Sequence, residues 1–195
     1  MASHQVLLSV WLVFALILDG AAVSAQVLSS RAYAAKDHSA VKSLTKYMVT
    51  FAVVQGLISM LVADCLDFVV PGLFTPDPVI QAHLHKLMPV LAWQQVLVSL
   101  TLVVESLAVG ASQFKTLAIG TAAATVVSIW QLARQTSVEG IWNSGIISLF
   151  CGRLITAIYA CARAQHKLRR DQEESMPGGS GGKPGSSTGL IAEAA

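Results

Sequence analysis

Five stretches of this chain are apolar over enough residues to cross the ~30 Å hydrocarbon core of a bilayer, and no other feature restricts the fold as much. They lie at about 6–28, 47–71, 87–110, 116–133 and 141–162. A helix satisfies its backbone N–H and C=O groups within the segment, which is what lipid demands. The expected fold is therefore all-α, a polytopic transmembrane helix bundle of about five spans within residues 1–163. Composition agrees: 54% of residues are hydrophobic and mean hydropathy is +0.61. Only 12% are charged, about half the ~25% of soluble domains. The fourth stretch, "TLAIGTAAATVVSIWQLA", is the weakest because it is rich in Ala and Thr, and the fifth contains Arg153. Gly56, Gly110, Gly120, Gly145 and Gly152 recur through these stretches, as expected where helices pack closely in lipid.

The connections predict an orientation. Arg31, Lys36, Lys42 and Lys46 follow the first span, Lys115 follows the third, and Arg163, Lys167, Arg169 and Arg170 follow the fifth. The alternate connections hold only Lys86 and Arg134, so nine basic residues face two. The positive-inside rule puts the first loop, the third loop and the C-terminus on the cytoplasm-like side. Residues 164–195 read as a basic juxtamembrane segment followed by a tail. From about Asp171 this tail, "DQEESMPGGSGGKPGSSTGLIAEAA", is too polar and Gly/Ser/Pro-rich to fold. Cys65, Cys151 and Cys161 lie in apolar runs without C-x-x-C spacing and read as buried small hydrophobes.

"AAVSAQ" carries the small residues of a signal-peptidase site, with cleavage conceivable after Ala25. Two features oppose it: no Lys or Arg precedes the apolar run, and Asp19 stands inside it. An ionised carboxylate at a bilayer centre costs roughly 2.5–3.5 kcal/mol, so a span that contains one uses it. The other deep ionisable groups are Glu105 and Arg153. "LILDGAAVSAQ" and "LVVESLAVGAS" share an order of acid, small residue, apolar residue, Ala-Val, small residue and Ala. At 1.5 Å per residue each acid stands about 15–18 Å from its basic loop, near the midplane. Each either belongs to a cation or proton site, or pairs with Arg153 or a polar neighbour to hold helices together. Arg153 needs such a partner, and both Asp19 and Glu105 are candidates. Gln94 and Gln95, just past a kink expected at Pro89, either line a cavity or hydrogen-bond across helices.

Other function classes find no support in the residues. A net charge of +2 without basic stretches interleaved with aromatics does not suit nucleic acid. His83 and His85 have no third ligand nearby for a metal, and Asp64 and Asp67 fit the interface at the end of the second span. No nucleophile–base set, P-loop or dinucleotide fingerprint occurs, so no enzyme or cofactor is expected.

"MASHQVLLSVWLVFALILDGAAVSAQVLSSRAYAAKD" resembles the eighth segment of the multidrug and toxic compound extrusion (MATE) transporters. The similarity is to the branch resembling the DNA-damage-inducible protein F. Ala2, His4, Gln5, Leu18, Asp19, Gly20, Ala25, Gln26, Lys36 and Asp37 stand at matching places. "LVVESLAVGASQFKTLAI" resembles the tenth segment through Gly110, Ala111, Ser112 and Phe114, with Glu105, Ser106 and Gln113 departing from its Asp, Gly and Asp. "VEGIWNSGIISLFCGRLIT" resembles the twelfth through Gly140, Ile141, Trp142 and Arg153, and "LFTPDPVI" fits an outer loop.

The resemblance implies half of a twelve-helix, two-lobe transporter built around a central cavity. It implies export of organic cations, organic acids or drug-like solutes coupled to H⁺ or Na⁺, with the lipid bilayer as surroundings. The chain would then supply segments eight to twelve of a longer protein whose N-terminal lobe and seventh helix lie outside it. That lobe would also hold the family's best-attested coupling carboxylate, in the first helix. Asp19 is expected to line the lobe cavity with Glu105 at similar depth. Gln26, Gln94 and Gln95 would add polar contacts, and Arg153 would be a structural or electrostatic partner to the acids. The competing class is a small multi-span structural or assembly protein without transport activity. Upstream coding sequence for about seven further apolar segments separates the two. Plasma membrane, vacuolar membrane and chloroplast envelope are equally compatible with the residues.

Overall fold

The computed structural model describes residues 2–175, which are helical almost throughout, with no strand among them. Helix α1 (Ala2–Ala34) buries Leu7, Val10, Phe14, Leu18, Ala22, Ala25 and Ser29, a stripe with three- and four-residue spacing. Its other side carries Leu12, Leu16, Ile17 and Val27, which are exposed. A helix apolar all round is suited to lipid, where outward leucines need no cover.

Turns between helices are made by a few polar residues. Lys36 adopts a left-handed backbone (φ 54°) after α1, and the Asp37 carboxylate accepts from the Ala40 N–H at 3.0 Å to cap α2 (His38–Leu66). The short α3 (Val70–Phe74) follows, and then Asp77 caps α4 (Pro78–Gly110) by accepting from the Val79 N–H at 2.8 Å. Ser112, also left-handed (φ 58°), turns the chain into α5 (Phe114–Leu132). Ser137 opens α6 (Val138–Gly140), which continues through a π-helical turn at Ile141–Ile146 into α7 (Ile147–Ser175).

Helix α4 is the axis of the bundle. In its most apolar window 61% of residues are buried, against 22–28% in the other three membrane-length helices, and α1, α2 and α7 all pack on it. Near the start of α1, here called the upper end, the core contains Leu7, Phe14, Ala63, Leu91 and Trp142. At the lower end it contains Ala25, Ala52, Leu107, Ala157 and Cys161.

Among the described residues four helices are long and apolar enough to cross a membrane: α1, α2, α4 and the continuous helix 138–174. The expected fourth span is α5, which forms where predicted and packs on α7. It is about 28 Å long, but with the terminal Lys115 and Gln131 and the hydroxyls of Thr121 and Thr125 it falls outside that set of four. The helices also outrun the apolar stretches: α2 begins at His38 and α4 at Pro78, well before 47 and 87. Asp37 and Asp77 nucleate them in polar sequence, where hydropathy carries no signal. Residues 171–175, assigned to the tail, are helical, and the remaining Gly/Ser-rich segment lies outside the described residues. Of the three cysteines only Cys161 is buried. Cys151 is partly buried and Cys65 is exposed, a position that lipid tolerates for a small apolar thiol.

The glycines sit at close helix approaches. A Cβ on Gly56 would lie 2.7 Å from Val96 Cα, and one on Gly110 would lie 2.6 Å from the Gln26 carbonyl oxygen. Between α5 and α7, Gly120 lies against Thr156 and Gly152 against Ala124, while Gly145 lies against Leu132. Gly20 has nothing within 4 Å. Buried serines bond across these approaches: Ser99 Oγ donates to the Ala52 carbonyl (2.8 Å), Ser29 Oγ to Leu107 (2.8 Å) and Ser128 Oγ to Gly145 (2.7 Å). We expect Gly56→Val to lower stability by about 1–3 kcal/mol, because backbone cannot move aside for it. Gly20→Val should fall within about 0.5 kcal/mol of the parent. Unfolding of both variants in detergent micelles, side by side, checks the difference.

Candidate functional site

Arg153, in the second turn of α7, reaches across to Glu105 on α4. Its Nε donates to Oε1 at 2.8 Å and its Nη2 to Oε2 at 2.5 Å, a bidentate pair. The Glu105 and Arg153 side chains are 14% and 24% exposed. The guanidinium carbon also lies 5.3 Å from the Phe150 ring centroid. The exposed edge of the pair faces a cavity of about 640 Å³ between α4, α5 and α7. Val109, Leu117, Ala118 and Ala122 make the cavity wall apolar, and Thr121 and Thr125 add two hydroxyls. The sequence left Arg153 with two candidate partners, and the structure selects Glu105.

Asp19 is placed differently. It is exposed on α1, outside the stripe packed on α4, and makes no hydrogen bond or ion pair among the described residues. Gln26 is likewise exposed, with only its carbonyl pressed against Gly110. Helices α1 and α4 run parallel: Leu18 packs with Val98 near mid-bundle, and Ser29 bonds to Leu107 below. Asp19 therefore stands about one turn above Glu105, so the two similar stretches do bring their acids to neighbouring depths. They present them on different faces, and no single site contains both.

Gln94 and Gln95 are 1% and 0% exposed and do not line the cavity beside Glu105. Gln94 Nε2 donates to the Trp142 carbonyl at 2.7 Å, bridging α4 to the π-helical turn, and Gln95 Nε2 donates to Leu91 at 3.1 Å. Both Oε1 atoms are buried without a partner. Of the two roles open for Gln94, the cross-helix bond is the one observed.

Sequence reasoning missed the polar connection that this bond belongs to. The fully buried Trp142 donates from Nε1 to His4 Nδ1 at 3.2 Å, with the rings edge-on at 5.9 Å. Gln94 and His4 thus hold Trp142 by its carbonyl and its ring, joining three helices at the π-helical turn. Single π-turns inside helices are frequent at functional sites. His4 and Trp142 each stood in a stretch with family resemblance, and that was the available signal that they matter. Nothing local joins residues 138 positions apart. Also at the upper end, His85 Nδ1 lies 3.0 Å from Asp67 Oδ1. No group of three His, Cys, Asp or Glu among the described residues could hold a metal.

Membrane-length helices, apolar outer faces and an ion pair at a cavity between helices define an integral membrane protein with a polar site inside its bundle. Residues 1–131 match the family model described as MatE, and the chain belongs to that family, whose members are transporters and not enzymes. It is 32% identical to Protein DETOXIFICATION 43 of Arabidopsis thaliana over 167 residues, 84% of this chain and 31% of the relative. It is 30% identical to the chloroplastic Protein DETOXIFICATION 45 of the same plant over 114 residues, 58% of this chain and 20% of the relative. With Protein DETOXIFICATION 42 the identity is 28%, over 72% of this chain and 27% of the relative. The chain thus spans about a third or less of the curated relatives it matches. No solved structure matches it.

Removing one member of this partly buried ion pair leaves an incompletely hydrated charge, at a cost of about 1–3 kcal/mol, below that of a fully buried pair. Glu105→Gln and Arg153→Gln should each destabilise the micelle-solubilised protein by roughly that amount. The double variant should recover most of the loss. A double-mutant cycle on unfolding reads the coupling, and additive losses would show that the pair carries none.

Proposed function

We propose that this chain forms part of the second lobe of a secondary active transporter in which entry of H⁺ or Na⁺ drives export of an organic solute. The solute is an organic cation, an organic acid or a drug-like compound. Residues 1–163 form the transmembrane bundle and 164–195 a juxtamembrane segment and tail. The lower end, with its excess of Lys and Arg, faces the cytoplasm-like side.

The observation that carries this reading is the Glu105–Arg153 pair on the wall of the ~640 Å³ cavity. An ion pair inside a membrane is expensive to keep, and one that served only to join helices gains little over an apolar contact. Opening onto a cavity lets the pair change partners. A proton on Glu105, or Na⁺ beside it, cancels the carboxylate charge and frees the guanidinium toward the cavity. Leaving of the ion restores the pair. The site then has two electrostatic states, set by the coupling ion, as alternating access requires.

Asp19 adds a second element. A carboxylate with no partner on an outward helix face would cost ~3 kcal/mol against lipid. The exposed face of α1 around Asp19, Gly20 and Gln26 is therefore assigned to the water-filled space between lobes. In the full-length protein, Asp19→Asn should reduce export about tenfold while insertion and expression stay unchanged. Glu105→Gln should flatten the dependence of export on the coupling ion. Uptake assays in proteoliposomes with imposed H⁺ or Na⁺ gradients test both, and parental export by both variants would refute the assignment.

A further inference from the structure

Helix α7 continues past its apolar part as a charged segment with four Arg or Lys and three Asp or Glu, and its surroundings there differ from those inside the bundle. Within the bundle, α7 turns Gly152 and Thr156 toward α5, against Ala124 and Gly120. These contacts set an antiparallel register in which α5 begins, at Phe114, beside the turn of α7 holding Cys161–Arg163. Continued at four- and three-residue steps, the same stripe carries Arg163, Lys167 and Arg170. All three are exposed, because α5 has already ended where they project.

The position is a notch at the membrane boundary. The start of α5 closes one side, with Lys115 exposed in its first turn and no side-chain cap on its N-terminus. The α7 stripe forms the other side. Two contacts on a different face of α7 hold the segment in place: Gln165 Nε2 donates to Thr45 Oγ1 at 3.0 Å, and Gln172 Nε2 donates to the Lys36 carbonyl. Arg169, close to that same face and off the stripe, is paired with Glu173 at 2.8 Å. Arg163, Lys167 and Arg170 form no salt bridge among the described residues, although Asp171 and Glu174 bound the stripe one turn beyond Lys167 and Arg170, and Glu173 acts on Arg170 from the side.

We propose that this notch binds the phosphate-bearing headgroup of an anionic phospholipid, whose acyl chains lie along the exposed apolar face of α5. Ile119, Val126 and Ile129 provide that face. Arg and Lys together supply bidentate and point-charge contacts to phosphate oxygens, and α5 adds the positive end of its dipole. A free phosphate satisfies the same cations, but only a lipid also covers the apolar face. The inference requires α5 and α7 to be embedded in a bilayer and is independent of the transport cycle and its coupling ion.

The test uses the whole chain, purified in an uncharged detergent and titrated separately with phosphatidylglycerol, phosphatidylcholine and inorganic phosphate. Binding is read by native mass spectrometry and by the shift in unfolding temperature. Each basic residue beside an anionic headgroup is worth about fivefold in affinity. The Arg163→Gln/Lys167→Gln/Arg170→Gln variant should therefore bind phosphatidylglycerol ten- to a hundredfold more weakly. Lys42→Gln/Lys46→Gln, which removes charge from α2 at the same end, should change binding less than twofold. Arg163→Lys/Arg170→Lys should keep the preference over phosphatidylcholine. If the triple variant misfolds, Lys167→Glu alone should weaken binding at least fivefold. Equal loss in the α2 variant, an unchanged triple variant, or equal stabilisation by inorganic phosphate would each overturn the proposal.

Discussion

In lipid an apolar side chain gains nothing by turning inward, so this bundle depends on how closely its helix backbones approach one another. Helix α4 shows the consequence. It meets α2 where Gly56 lies over Val96 and α1 where Gly110 lies over the Gln26 carbonyl. A serine bonds across the helix boundary beside each contact, Ser99 to Ala52 and Ser29 to Leu107. Dispersion and a short hydrogen bond together do there what burial does in water. Because α4 is held this way on several sides, side chains projecting from it have little freedom, and Glu105 is one of them.

That rigidity explains why one acid is paired and the other free. Glu105 projects from the most buried helix, where an unpaired carboxylate would be prohibitive, and α7 brings Arg153 to it. Asp19 projects from α1, which is packed along one stripe only and leaves Gly20 in open space. The two stretches are alike in residue order, yet the helix carrying each determines what the acid can do.

Much of the fold was legible from local sequence. Five apolar stretches became five long helices, and the glycines singled out for packing lie at helix contacts. Helix ends were not legible, because Asp37 and Asp77 start helices in polar sequence that hydropathy passes over. The ion pair was legible in its members but not in its pairing. Arg153 announced that it needed an acid, and only three-dimensional packing separates Glu105 from Asp19. Gln94 gave two alternatives for the same reason, and the Trp142 carbonyl that decides between them lies in a π-turn without a periodic signature.

The π-helical turn also bears on how the bundle is held around Arg153. The continuous helix 138–174 is stapled to α5 through Gly152 and Gly120 below, and gripped at Trp142 by Gln94 and His4 above. Between the two grips lie Gly145 and the rest of the π-turn, the stretch of that helix with the least internal hydrogen-bond regularity. Arg153 follows within two turns. This turn is itself held to α5, through Gly145 against Leu132 and the Ser128 Oγ bond to the Gly145 carbonyl, so Arg153 stands on a helix fixed on both sides of it. The Glu105–Arg153 pair therefore joins two helices whose relative position the glycine and serine contacts already set, and its geometry follows from that packing.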